Sequence, residues 1–207
     1  MPTRRSLLGL LGTAGLSPSV PGAVVPQPPA DAPDSAPAAA GPAAGPAADG
    51  GAAHARFMSL AVDEARRNPR YPFGAVFVRS GRVLGRGVNA SAENPSHHGE
   101  MVAMADYVHR AGNRGWAATT LYSTAEPCAM CMSACAWAGV GQVVWGTSIE
   151  ELARTGLDQI AIPAAEVVRA ASPFYSPGLL GGVLAGTTDA LFRRAQLLRA
   201  GGTGGAP

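Results

Sequence analysis

The only three cysteines of the chain, Cys128, Cys131 and Cys135, fall within eight consecutive residues. Cysteines so close together cannot staple distant parts of a fold. The chain must therefore rest on an apolar core, which leaves the thiols for a metal or for sulfur chemistry. Proline and charge locate that core. Ten of the 18 prolines stand in residues 1–53, where only five charged residues occur: Arg4, Arg5, Asp31, Asp34 and Asp49. The folded domain is then 54–207, a length that buries a sizeable core. Within it 14 arginines face 11 acidic residues, lysine is absent from the whole chain, and no basic stripe stands out. That balance gives no indication of a large nucleic-acid footprint, and DNA is not an expected partner.

Residues 1–30 read as a signal region. Arg4-Arg5 precedes an apolar run, Leu7 to Leu16, which is only ten residues long and holds three glycines. It is too short to span a bilayer and resembles a twin-arginine export signal, so no membrane span is expected in the mature protein. Residues 31–53, rich in Ala, Pro and Gly, read as a disordered linker. Export to a periplasmic or extracellular space is the expectation, and a cytoplasmic protein with a chance Arg-Arg pair is the alternative.

Apolar spacing at Phe57, Met58, Ala61, Val62 and Ala65 predicts a helix over 54–68, ended by Asn68-Pro69. Strands are expected at 73–78 and 82–88 around a Ser80-Gly81 turn, then at 119–124 and 142–147. Helices are expected at 98–110, from Pro127 to Ala138, at 148–154 and at 188–198, with a short strand at 159–162. The alternation implies an α/β fold whose sheet lies between helical layers.

Two segments carry chemistry, His98-Gly99-Glu100 and Pro127-Cys128-Ala129-Met130-Cys131. At a helix start, cysteines three apart share one face, where the helix dipole favours thiolates. Two thiolates and the His98 imidazole suit one zinc ion per chain and leave a fourth position open, which is the catalytic rather than the structural pattern. Glu100, two residues past His98, falls off that ligand's helical face, beside the metal rather than on it, as a proton carrier requires. Cys135, seven residues after Cys128, is better placed as a small buried hydrophobe than as a fourth ligand. His97 reads as a loop residue, and His54 and His109 as surface residues.

The pattern H-x-E followed by P-C-x-x-C resembles the signature of the zinc-dependent cytidine and nucleobase deaminases. Pro72 to Val76, Thr120 to Glu126 and Val143 to Gly146 resemble that family's strands and turns. The nearest branch holds guanine deaminases, tRNA adenosine deaminases and fungal-type cytosine deaminases. The resemblance implies a three-layer α/β/α sandwich with a mixed sheet of about five strands, a homodimer, and hydrolytic release of ammonia with Glu100 as proton shuttle. It implies that Asn89 holds the base, that Ala75 lies against it and that Trp137 is an aromatic contact. Gly156-Leu157-Asp158 is similar to guanine deaminases, with Asp158 able to reach the base from a late loop. Two departures stand out. Gly99 replaces the alanine usual in the guanine and tRNA enzymes, and Gln159 replaces a second acid usual in the guanine enzymes. A guanine-type purine is the first expectation, cytosine the second. Adenosine in tRNA is third, because export and weak charge oppose it. A non-catalytic zinc-binding module and a dithiol oxidoreductase are the rivals from other classes; neither has a use for Glu100.

Overall fold

A computed structural model describes residues 48–201. The expected signal region and most of the expected linker lie outside the described residues. The elements run α1 (Ala48–Ala65), β1 (Gly74–Arg79), β2 (Arg82–Val88), α2 (Gly99–Ala111), β3 (Thr119–Ala125), α3 (Ala129–Ala138), β4 (Gln142–Thr147), α4 (Ile149–Arg154), α5 (Ala164–Ala171), β5 (Gly178–Leu180) and α6 (Ala185–Ala200). No helix among the described residues is long and apolar enough to cross a membrane.

Sequence and structure differ at definite places. Helix α1 starts at Ala48, so the last residues of the expected linker are helical. It ends before Asn68, whose side chain accepts from the Tyr71 amide and donates to the Asn89 carbonyl, drawing the chain into a turn. His54 is not a free surface residue, because its Nδ1 lies 3.0 Å from the Tyr122 hydroxyl. Cys128 is the N-cap of α3, so Pro127 precedes the cap rather than opening the helix. Residues 159–162 form no strand; α5 and β5 follow them unforeseen.

The five strands form one mixed sheet in the order β2-β1-β3-β4-β5. β1 pairs antiparallel with β2 and β3, whereas β3-β4 and β4-β5 are parallel. Ser80 and Gly81 both take positive φ, the conformation that a two-residue hairpin demands. Alternation along the strands divides the core into two faces. Ala75, Phe77, Leu121 and Val143 meet Tyr107 of α2, Met132 and Cys135 of α3, and Ala164 and Ala171 of α5. Val76, Val78, Tyr122 and Val144 meet Phe57, Met58 and Ala61 of α1. The sheet is therefore covered on both faces. Helix α6 adds a third cluster, in which fully buried Phe192 packs 5.0 Å from Phe73, ring centre to ring centre.

Close approach sets one end of the sheet. A Cβ on Gly87 of β2 would collide with the backbone of α2 at Gly99 and Ala103. A Cβ on Gly99 would meet the Phe73 carbonyl oxygen, which already accepts from the Asn89 amide at 2.9 Å. Bare backbone at these points lets the first turn of α2 press against the start of β1.

Candidate active site

Helices α2 and α3 leave the sheet at the same end, where β2 and β3 finish and β1 begins. Their N-caps are His98 and Cys128, both extended in backbone, and neither side chain is used to cap its own helix. Cys131 follows in the first turn of α3. The three side chains therefore converge at two helix N-termini, whose exposed N–H groups and dipoles favour negative charge.

The geometry fits zinc. The Cys128 and Cys131 sulfurs lie 3.7 Å apart, and His98 Nδ1 lies 3.5 Å from the first and 3.7 Å from the second. A tetrahedral ion with Zn–S and Zn–N bonds of ordinary length requires about 3.8 Å between sulfurs and about 3.6 Å between sulfur and nitrogen. The protonation chemistry agrees. Hydrogen bonding to Cys131, and then to His98, pulls the Cys128 thiol down to about 4, with burial opposing. The same contact and burial push the Cys131 thiol up. Alone, the pair accepts one negative charge and resists a second; a dication facing both sulfurs removes that conflict. His98, Cys128 and Cys131 are the one set of potential metal ligands of this kind among the described residues. Cys135 is fully buried in the core and stands outside the set.

Glu100 is 4% exposed and outside the ligand set, although its Oε2 lies 3.6 Å from the Cys131 sulfur. Its Oε1 accepts from the Ser123 hydroxyl at 2.8 Å. Burial raises the pKa of this carboxyl, so it binds a proton more readily than an ordinary glutamate.

A cavity of about 760 Å³ opens over His98 and Cys128. Asn89 and Asp158 line it, as do Tyr71, Phe73, Ser91 and Arg199. Asn89 is buried and donates to Ser91 Oγ at 2.9 Å, which orients the amide. Ala75 is not among the residues that line the cavity. It is fully buried in the sheet, paired in register with Ser123, the residue that donates to Glu100. Trp137 is misplaced by the sequence reading: it is 83% exposed, lies outside this cavity, and stacks on Phe174 with ring centres 5.5 Å apart. Trp137 sits near the far end of α3, about two and a half turns from Cys128 and under two from Cys131.

Ser123 and Arg199 were not foreseen as site residues. Ser123 had only its place in a family-like strand to mark it. Nothing local marks Arg199, which comes from the last helix. Glu126 is the third omission: its two carboxylate oxygens accept from the backbone amides of Ile149 and Ala164, the first residues of α4 and α5.

The cytidine and deoxycytidylate deaminase zinc-binding region matches residues 52–147. Guanine deaminase of Bacillus subtilis is 30% identical over 105 residues, which cover 67% of its length and 50% of this chain. The chain belongs to the zinc-dependent cytidine and deoxycytidylate deaminase family. Within this family, a tRNA-specific adenosine deaminase of Streptococcus pyogenes serotype M1 is 35% identical over 109 residues, half of this chain. The match spans only 63% of that relative's length. The deaminase fold is shared with the guanine deaminase structure from Nitrosomonas europaea at 21% identity, with a TM-score of 0.61 over 69% of this chain and 84% of that one. A tRNA:A34 deaminase structure, at 27% identity, gives 0.55 over 66% of this chain and 98% of that one.

Proposed function

We propose that this deaminase hydrolyses the exocyclic C–N bond of a nucleobase or nucleoside, with a guanine-type purine as the favoured base. The observation that carries the reading is the Glu100 carboxylate, buried beside the metal ligands yet not one of them. Zinc held by His98, Cys128 and Cys131 would supply Lewis-acid activation of a water molecule. Ser123 occupies Oε1 of Glu100, while Oε2 faces the Cys131 sulfur among the metal ligands, so Oε2 is the oxygen placed to move protons. Oε2 takes a proton from the attacking water, delivers it to the ring nitrogen beside the attacked carbon, and then assists the amine to leave as ammonia. Water enters, the C–N bond breaks, and a carbonyl replaces the amine.

The choice of base rests on Asn89 and Asp158. With its NH2 group turned to Ser91, Asn89 keeps Oδ1 available to a donor. Asp158 is an acceptor when ionised. Guanine presents ring N–H donors to such acceptors, whereas the base of adenosine presents only the amine that is lost. The likeness to tRNA-specific relatives favours adenosine in tRNA as the second reading. Ammonia release by the zinc-loaded protein from guanine, guanosine, cytosine, cytidine, adenine, adenosine and an adenosine-bearing tRNA, with Glu100→Ala as blank, tests both. Release from guanine that vanishes in the variant supports the reading; release only from adenosine in tRNA replaces the substrate; none from any, with zinc present, overturns it.

Export and dimerisation belong to the same proposal. Export rests on Arg4-Arg5 and the apolar run behind it. Cell fractionation of the full chain and of an Arg4→Lys, Arg5→Lys variant tests it. Sedimentation of the purified protein tests the dimer.

A further inference from the structure

The cavity over the metal ligands is larger than a lone bicyclic base fills, and it carries two charges that are not matched to each other. Asp158 and Arg199 both line it, yet neither takes part in an ion pair among the described residues. Among the described residues, Arg199 is the one permanently charged cation lining the cavity. It is also fixed in place: it donates to the carbonyls of Arg70 at 2.8 Å and Thr155 at 3.1 Å, and its guanidinium lies 5.6 Å from the Tyr71 ring centre. Both hydrogen-bond partners are neutral, so the charge is oriented without being cancelled. Burial lowers its pKa, as expected of a cation with no anion beside it. A guanidinium held by carbonyls and an aromatic face keeps further N–H donors for a planar or tetrahedral oxyanion.

We propose that Arg199 is a specificity-determining residue that takes a phosphate carried by the substrate, so that the preferred ligand is a nucleoside monophosphate rather than a free base. The proposal rests on the deaminase reading for the base end of the cavity, where Asn89 and Asp158 meet N–H donors. Arg199 and Tyr71 line the same cavity, and Arg199 supplies the cation that a phosphate on the sugar would meet. One fixed cation suits one phosphate. A polynucleotide would require a row of them, and the described residues line the cavity with no second arginine.

The test is equilibrium binding to the full-length, zinc-loaded protein. Guanosine, adenosine and cytidine are each compared with their 5′-monophosphates, and ammonia release is measured in parallel. A charge-assisted contact of this kind makes one monophosphate bind about ten- to a hundredfold tighter than its nucleoside. In Arg199→Gln that margin falls to about twofold or less, and Arg199→Lys restores part of it by returning the charge. A purely structural arginine would weaken nucleoside and monophosphate alike and leave their ratio unchanged, which overturns the proposal. So does the absence of any margin for all three pairs. An oligoribonucleotide that binds tighter than every monophosphate, with steep salt dependence, overturns it in favour of RNA. A margin without ammonia release leaves the phosphate site standing and removes the deaminase reading; ammonia release without a margin does the reverse.

Discussion

Replacing Gly99 with alanine puts a methyl group where the Phe73 carbonyl oxygen already lies. The obstacle is backbone, so no side chain can swing aside. Phe73 is itself held, since its carbonyl accepts from the Asn89 amide at 2.9 Å and its ring packs on Phe192. The start of β1 and the first turn of α2 must therefore separate. Overpacking of this kind costs about 1–3 kcal/mol. In a domain of this size each kcal/mol lowers the melting temperature by about 2–4 °C, so the variant should melt about 2–12 °C below the parent. His98 is the adjoining residue, and its displacement should weaken zinc binding by about tenfold or more. Thermal unfolding and competitive zinc titration measure the two effects. A Gly99→Ala protein that melts with the parent and holds zinc equally would refute the argument, because the approach of β1 to α2 would then not require glycine.

Further outcomes follow from the same geometry. Glu100→Gln should keep stoichiometric zinc while ammonia release drops by about 10²- to 10⁴-fold, which metal analysis and kinetics separate. In metal-free protein the raised pKa of Glu100 stabilises the fold at low pH, and that contribution is lost as pH climbs above the ordinary carboxylate value of 4.5. Melting curves should therefore show Glu100→Gln gaining on the parent toward neutral pH and losing the gain on acidification. Zinc at about a thousandfold over its dissociation constant should raise stability by about 4 kcal/mol, and a chelator or Cys128→Ser should remove the increment. Phe192→Ala, which empties a fully buried position, should cost about 3–5 kcal/mol in denaturant unfolding.

Local signals were legible where the physics is local. The strands at Arg82–Val88 and Gln142–Thr147 have the expected bounds, since each is a valine-bearing segment that follows a glycine-marked turn. The metal cradle was readable because ligand chemistry demands set residue types at set spacing. What escaped depends on distance along the chain. Arg199 reaches the cavity from a helix with no motif of its own, and it bonds to Arg70, 129 residues earlier. Strand β5 is three residues of Gly-Leu-Leu, too short for alternation to register. Helix α5 follows a stretch whose isoleucines imitate a strand, although Ile160 and Ile162 are exposed. Trp137 shows the limit of carrying an aromatic over by spacing, for its orientation depends on which face of α3 meets the core.

One carboxylate joins the metal cradle to the substrate wall. Glu126 stands two residues before Cys128, and its two oxygens receive the amides of Ile149 and Ala164. Between those amides runs the segment that carries Asp158 and Ile160 along the cavity. The wall is thus a loop hung by both ends from a single hook, and the hook is rooted in the backbone that presents the zinc-binding sulfurs. Under the proposed function, sequence drift along the wall would change which base is read while the suspension keeps the loop in register with the metal. Shortening the hook by one methylene, Glu126→Asp, would disturb recognition before it disturbed zinc.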